Sequence, residues 1–180
     1  MKFCHCLLCQ VPLNEAAWDP RDRRTAAHIR DHGWSVVGVS GGHTADWCYS
    51  IGLWHTLRSP EVSVFGLGMD VAPNLLNAVG DGVRDGGPLR PGRRSDVLRS
   101  YDIELRPVHP SWDLTFFGAA VDFYRIPPLP ILQLCWPDRA GRFAWESDFT
   151  RDFQSLQPML WLPRDDHPPG PWVDEGPYAV

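Results

Sequence analysis

Three cysteines near the amino terminus are the strongest chemical signal in the sequence. Cys4, Cys6 and Cys9 lie within six residues of one another. In a reducing compartment, clustered thiols usually bind a metal rather than form disulfides. Thiolate sulfur suits zinc, copper(I) or an iron–sulfur cluster, and zinc takes four ligands in a tetrahedron. The spacing predicts a metal site, most simply structural zinc, with another metal or free thiols as the alternatives.

A fourth ligand has to come from elsewhere in the chain. His5 lies between two of the cysteines, and neighbouring residues seldom all reach one ion. We expect the ligand from the folded domain, where the candidates are His28, His32, His43, Cys48 and His55. A distant ligand would attach the N-terminal head (residues 1–12) to the domain. An open fourth position would instead hold a water of near-neutral pKa and make the zinc catalytic.

Weak candidates for acid–base catalysis lie at predicted strand ends and turns, where active sites often form. They are His55, Asp138 and Glu146. A cap or a turn is the competing interpretation of each. Residues 38–42 match G-x-S-x-G, but they precede a turn and another strand, which predicts a hairpin rather than a nucleophile elbow. The sequence has no H-E-x-x-H, zinc-deaminase or dinucleotide-binding motif.

Ligand-binding candidates fall in two places. Ser50 lies on the small, polar face of a predicted strand, and Trp54 and His55 follow at its end. Arg93 and Arg94 lie in an arginine-bearing loop, where guanidinium groups would suit an anionic ligand or partner. The leading hypothesis is a metal-stabilised binding or accessory domain for a small molecule or peptide. The alternative is a small hydrolase or group-transfer enzyme that uses metal-bound water or a His/Asp pair.

The elements that must position these residues alternate without a strict βαβ rhythm. Asp19 and Pro20 predict the start of a helix that ends at Gly33, and an apolar stripe predicts another from Asp70 to about residue 85. Helical spacing recurs over residues 112–123. Strands are predicted over residues 34–39, 47–53, 61–65, 103–108, 131–136 and, more briefly, 142–145. This pattern predicts an α+β fold, with a mostly antiparallel sheet of five or six strands on two or three helices.

Composition limits the function classes. The chain has 180 residues, which suits one α+β domain (residues 13–161) between the head and a proline-rich, extended C-terminal tail (residues 162–180). No run approaches the ~20 apolar residues of a membrane helix, and no secretory signal is evident, so we expect a cytoplasmic protein without a membrane partner. A net charge of −5 makes nucleic acid an unexpected partner. Nine tryptophans predict either aromatic core packing or an aromatic-walled pocket.

A set of short motifs resembles a bacterial family, frequent in actinobacteria, that is named domain of unknown function 4262. The motifs are His32-Gly33-Trp34, Tyr49-Ser-Ile-Gly-Leu53, Pro60-Glu61, Gln133-Leu-Cys-Trp-Pro-Asp138 with Gly141 and Trp145, and Gln157-Pro158. The resemblance spans roughly residues 19–162. It departs from the family pattern at Ser50, where the family has threonine, and at Ser59, where it has histidine. The resemblance implies a fold unit and a bacterial origin, without implying an activity.

Overall fold

A six-stranded sheet forms the centre of the protein. The computed structural model describes residues 4–98, 101–125, 129–150 and 155–173. The strands are β1 Ser35–Val39, β2 Trp47–Ile51, β3 Glu61–Phe65, β4 Gly92–Arg94, β5 Ile103–Pro107 and β6 Ile131–Cys135. The helices are α1 Pro20–His32, α2 Leu53–Leu57, α3 Ala72–Gly86, α4 Asp113–Phe116 and α5 Gly118–Tyr124. Among the described residues, none of the helices is both long and apolar enough to cross a membrane.

The strand order is β1-β2-β3-β6-β5-β4, and every pair is antiparallel except β3 with β6. β1 and β2 form the predicted hairpin, with Ser35 opposite Ile51. The parallel pair begins with Glu61 beside Ile131, so the starts of β3 and β6 lie together. The predicted α+β class with a mostly antiparallel sheet is therefore confirmed.

Local signals set the bounds of α1 as predicted. The Asp19 side chain accepts a 2.7 Å hydrogen bond from the Asp22 backbone N–H, and Pro20 occupies the first turn. Gly33 ends the helix with a φ of 98°, a left-handed conformation that glycine adopts without steric cost. These contacts are all local, which is why a sequence pattern suffices to predict them.

Other predicted elements differ from the structure. Residues 142–145 form no strand, because the backbone turns back where Glu146 N–H donates to the Phe143 carbonyl. The sixth strand is instead β4, inside the predicted arginine loop, and it makes a second hairpin with β5. The residues from Leu53 form α2 rather than extending β2.

Two smaller differences concern helix ends. Asp70 provides no side-chain cap for α3, whose N-cap position is Val71. The helical spacing after residue 112 belongs to two short helices, α4 and α5, that meet at Phe117. Pro107 is the last residue of β5, and since β4 pairs with β5 only at residues 103–105, Pro107 has a neighbouring strand on one side alone.

The sheet separates two hydrophobic clusters. On one face, α3 packs against residues such as Cys48 and Val62. On the other face, α1, α4 and α5 pack around Trp47, which is fully buried and stacks on Phe65 with ring centroids 5.9 Å apart. The head and the tail reach this second cluster through Cys6, Leu7 and Trp172. Both chain ends therefore help to cover the same aromatic core.

Trp34 packs so closely on α3 that it dictates a glycine there. A Cβ atom added to Gly80 would lie 2.5 Å from the Trp34 indole, whereas one added to Gly82 would meet nothing within 4 Å. The indole is fixed, because its N–H donates to Asn77 at 3.0 Å and the Arg84 guanidinium lies 4.6 Å from its ring centroid.

This contrast predicts opposite effects for two substitutions in one helix. Gly80→Ala should destabilise the protein by about 1–3 kcal/mol through overpacking. Gly82→Ala should stabilise it by up to about 1 kcal/mol through helix propensity. Urea unfolding of both variants, followed by circular dichroism, measures the two values, and equal signs would contradict the packing argument.

Candidate metal centre

Four ligand atoms from the head and from α2 converge at one point. His55 Nδ1 lies 3.2 Å from Cys6 Sγ, 3.4 Å from Cys9 Sγ and 3.9 Å from Cys4 Sγ. Cys6 Sγ and Cys9 Sγ are 3.6 Å apart, and all four ligand atoms lie within 4.8 Å of one another. Among the described residues, this is the one group of three or more such side chains that could hold a metal ion.

The distances fit tetrahedral coordination. Bonds of about 2.3 Å to sulfur and about 2.0 Å to nitrogen place tetrahedral sulfurs about 3.8 Å apart and sulfur about 3.5 Å from nitrogen. The observed sulfur–sulfur distance of 3.6 Å is close to the first value, and the sulfur–nitrogen distances of 3.2, 3.4 and 3.9 Å lie on both sides of the second. The four side chains therefore enclose a space of the right size for one ion, with all four positions supplied by protein.

The charge states of the ligands respond to burial. Burial, together with the neighbouring Cys4, raises the pKa of the Cys6 thiol, and burial also raises the pKa of Cys9. Burial and then the nearby Arg58 charge lower the pKa of His55, which favours the neutral imidazole that a metal needs. A bound cation would draw the protons from the thiols, and Arg58 would offset part of the resulting negative charge.

A tight turn brings two of the thiols together. Residues Leu7–Cys9 form a 3-10 helix, and the Cys9 N–H donates to the Cys6 carbonyl at 2.9 Å. Cys6 and Leu7 are buried in the aromatic core, whereas Cys9 reaches the surface. The head is thus held by apolar packing on one side and by the ligand cluster on the other.

A buried carboxylate fixes the helix that carries His55. Glu61 is fully buried, and its Oε1 accepts hydrogen bonds from Gly52 N–H at 2.9 Å, Trp54 N–H at 3.0 Å and the Tyr124 hydroxyl at 2.5 Å. Its Oε2 accepts from the Ser50 hydroxyl at 2.5 Å. Because every partner donates, the arrangement suits the ionised, acceptor-only form of Glu61.

The backbone at Gly52 makes this arrangement possible. Its φ of 121° is unfavourable for other residues, and an added Cβ would lie 2.8 Å from Ile29 and 2.9 Å from Trp34. The Tyr124 oxygen also accepts from the Gly52 N–H at 3.0 Å. Burial, followed by the Glu61 charge, raises the pKa of Tyr124, so its hydroxyl remains a donor. Sequence reasoning did not identify the roles of Glu61 and Tyr124, although Pro60-Glu61 was visible as a motif.

The other candidates for the fourth ligand lie in separate parts of the structure. His28 and His32 line an open groove between α1 and α3. His43 lies in the turn that connects β1 and β2. Cys48 is buried against α3, with its sulfur 3.6 Å from Met69 Sδ. Of the five residues considered, His55 alone lies in the four-atom group.

Asp138 and Glu146 form turns after β6 and make no cluster with His55. Burial alone would raise the pKa of Asp138, but hydrogen bonds from Arg142, Ala140 and Thr150 lower it to about 2. A carboxyl this acidic holds no proton to donate near neutral pH. Glu146 accepts from the Phe143 N–H at 3.0 Å. Within the described part of the chain, both carboxylates therefore stabilise the turns in which they lie.

The ligand-binding candidates are also occupied by internal contacts. Ser50 is fully buried, so a ligand has no access to its hydroxyl. Arg93 lies near the carboxylates of Glu104 and Glu146, and Arg94 is paired with Asp96 at 2.5 Å. Trp54 is partly buried and packs against the aromatic core. Trp54 and His55, which were predicted to border a pocket at the end of β2, thus lie where the four potential metal ligands converge.

The fold and this cluster define a class: a small α+β domain with a Cys₃His group that could hold a metal ion. The family model described as Domain of unknown function (DUF4262) matches residues 28–150, more than half of the chain, and the chain belongs to that family. The resemblance noted from the short motifs is confirmed. No curated protein and no solved structure matches the chain significantly.

The motif residues act together in the structure. Ser50, Gly52 and Glu61 build the support behind α2. Gln133 donates to the Pro158 carbonyl at 2.7 Å, and the Gln157 carboxamide makes two hydrogen bonds with the Trp136 backbone. These hydrogen bonds of the two glutamine side chains join the segment after residue 155 to β6 and to the residue that follows it. These motif residues therefore stabilise the fold, whereas the three thiols lie outside the matched range.

The support behind α2 generates a prediction. In Glu61→Gln, the amide NH₂ of the new side chain would face groups that donate hydrogen bonds to Glu61 and would leave some of them without an acceptor. The helix α2 and its His55 should therefore lose their fixed orientation. We expect zinc affinity to fall by roughly tenfold to a hundredfold, the usual effect of removing support from a ligand. Competition with a chromophoric chelator measures the affinity.

Glu104→Gln is the matched control, because Glu104 lies on β5 and bonds to Arg106 at 2.9 Å, away from α2. It should retain the parental affinity. Circular dichroism of both variants reports folding separately. Unchanged affinity in a folded Glu61→Gln protein would contradict the positioning role.

Proposed function

We propose that the protein is a zinc-stabilised binding or accessory domain, in which the metal attaches the N-terminal head to the sheet. The observation that carries this proposal is the four-atom group of Cys4, Cys6, Cys9 and His55, with its near-tetrahedral distances. Four protein ligands are typical of structural zinc, whereas catalytic zinc keeps a position for water. The proposed compartment is the cytoplasm, where thiols remain reduced and free to bind a metal.

The donor set favours zinc over the other metals that thiols bind. Three sulfurs and one imidazole nitrogen are a common set for structural zinc, and the distances match its bond lengths. Iron–sulfur clusters are held mainly by four thiolates. The proposal of a structural site also accounts for His55 as a ligand, which removes it as the acid–base group of an enzyme.

Elemental analysis tests the metal. Protein purified without added metal should contain stoichiometric zinc, and Cys6→Ser should lose most of it and melt at a lower temperature, because binding free energy is folding free energy. Cys48→Ala, which removes a buried thiol outside the cluster, should retain the zinc. Metal-free parental protein with three titratable head thiols would overturn the proposal. Another metal in stoichiometric amount would overturn the assignment of the metal as zinc.

For the binding role, we propose that the groove between α1 and α3 receives a small polar molecule. The groove has a volume of about 600 Å³, within the range of small-molecule sites. Trp34 contributes an aromatic ring to its lining, and His28, Asn77 and Asp81 contribute polar groups. The His28 ring nitrogen lies 3.4 Å from the Ser35 hydroxyl, so one imidazole is already oriented towards the strand.

Tryptophan side chains offer a direct test of the groove. The Trp34 indole N–H bonds to Asn77 at the wall, and its NMR signal can be assigned by comparison with Trp34→Phe. In a screen of small polar fragments, the signal of Trp34 should shift more than that of Trp47, which is fully buried. Binding that shifts other indoles and leaves Trp34 unchanged would place the ligand site elsewhere.

A further inference from the structure

We propose that Cys6 and Cys9 form a peroxide-sensitive switch that releases the metal. This inference rests on the proposed zinc site and assigns it a regulation. The two sulfurs are already neighbours at 3.6 Å, and the turn between them holds their backbones together. The co-reactant is a peroxide, and the simplest probe is hydrogen peroxide.

Accessibility separates the reactive cysteine from the others. Cys9 reaches the surface, Cys4 is half-buried, and Cys6 is fully buried behind them. The two cysteines outside the cluster are sequestered: Cys48 lies against Met69, and Cys135 is buried with its thiol directed to the Gln133 carbonyl. A small oxidant from solvent should therefore meet Cys9 first, with Cys6 directly behind it.

Hydrogen peroxide is the only oxidant that the formation of the Cys6–Cys9 disulfide requires. The Cys9 thiolate attacks one peroxide oxygen, the O–O bond breaks, and hydroxide leaves, which produces a sulfenic acid. The Cys6 thiolate then attacks that sulfur, the S–S bond forms, the S–O bond breaks, and a second hydroxide leaves. The two thiolates together lose two electrons, and the peroxide gains them.

Oxidation of Cys6 and Cys9 removes two of the four metal ligands. A Cys6–Cys9 disulfide leaves Cys4 and His55, and two ligands are too few for a tetrahedral structural site. Without the ion, the head keeps the apolar contacts of residues such as Leu7 but loses its attachment through the four ligands. Oxidation would therefore free the head, and a reducing thiol with added zinc would restore it.

The experiment uses the zinc-loaded full chain treated with hydrogen peroxide. Zinc release is followed with a chromophoric chelator, and differential alkylation with mass spectrometry maps the thiols. We expect release of the bound zinc together with loss of the Cys6 and Cys9 thiols, while Cys4, Cys48 and Cys135 stay alkylatable. Dithiothreitol and zinc should reverse both changes.

Cys48→Ala is the matched control, because it removes a buried thiol that lies outside the cluster. It should bind zinc as the parent does and release it under the same peroxide dose, whereas zinc retained by this variant would make Cys48 the reactive thiol and overturn the switch. Retained zinc in the parent, or a disulfide that includes Cys4, would overturn the switch. A parent that contains no zinc before treatment would instead overturn the proposed function.

Discussion

The buried carboxylate of Glu61 is the constraint on which the centre of the structure depends. A charge removed from water is costly unless hydrogen bonds replace its hydration. Glu61 obtains those bonds from β2 through Ser50, from the start of α2 through Gly52 and Trp54, and from α5 through Tyr124. One side chain therefore requires three separate elements to meet, and displacing any of them would leave an unsatisfied charge in the core.

This constraint connects the fold to the Cys₃His cluster, which could hold a metal ion. His55 lies in the short helix α2, which is too brief to be stable alone. The helix is held at its start by Glu61 and further along by Thr56, whose hydroxyl donates to the Gly33 carbonyl at 2.6 Å. The imidazole is thus oriented by contacts that do not depend on a metal ion, and the three thiols of the head lie close to it. Preorganisation of one ligand lowers the entropy cost of assembling the other three.

Sequence reasoning succeeded where the determining contacts are local. The bounds of α1 depend on Asp19, Pro20 and Gly33, and the three thiols lie on one short segment. It failed where partners are distant. Nothing near residue 55 marks that histidine among five candidates, because its position depends on β3, α5 and a glycine with positive φ. The Gly-Arg-Arg of β4 has no strand signature, yet β5 provides a partner for it.

The error at residues 142–145 shows how side-chain stacking can imitate a strand pattern. Phe143 and Trp145 alternate with smaller or charged residues, as in a strand, but their rings stack on each other at 4.8 Å. Arg106, on β5, lies 3.6 Å from the centroid of Trp145, and Arg93, on β4, lies 4.7 Å from that of Phe143. The segment therefore covers the β4–β5 hairpin with aromatic faces instead of pairing with it through backbone hydrogen bonds. Arginine stacking on aromatic faces therefore gives Arg93 and Arg106 a packing role in this part of the fold.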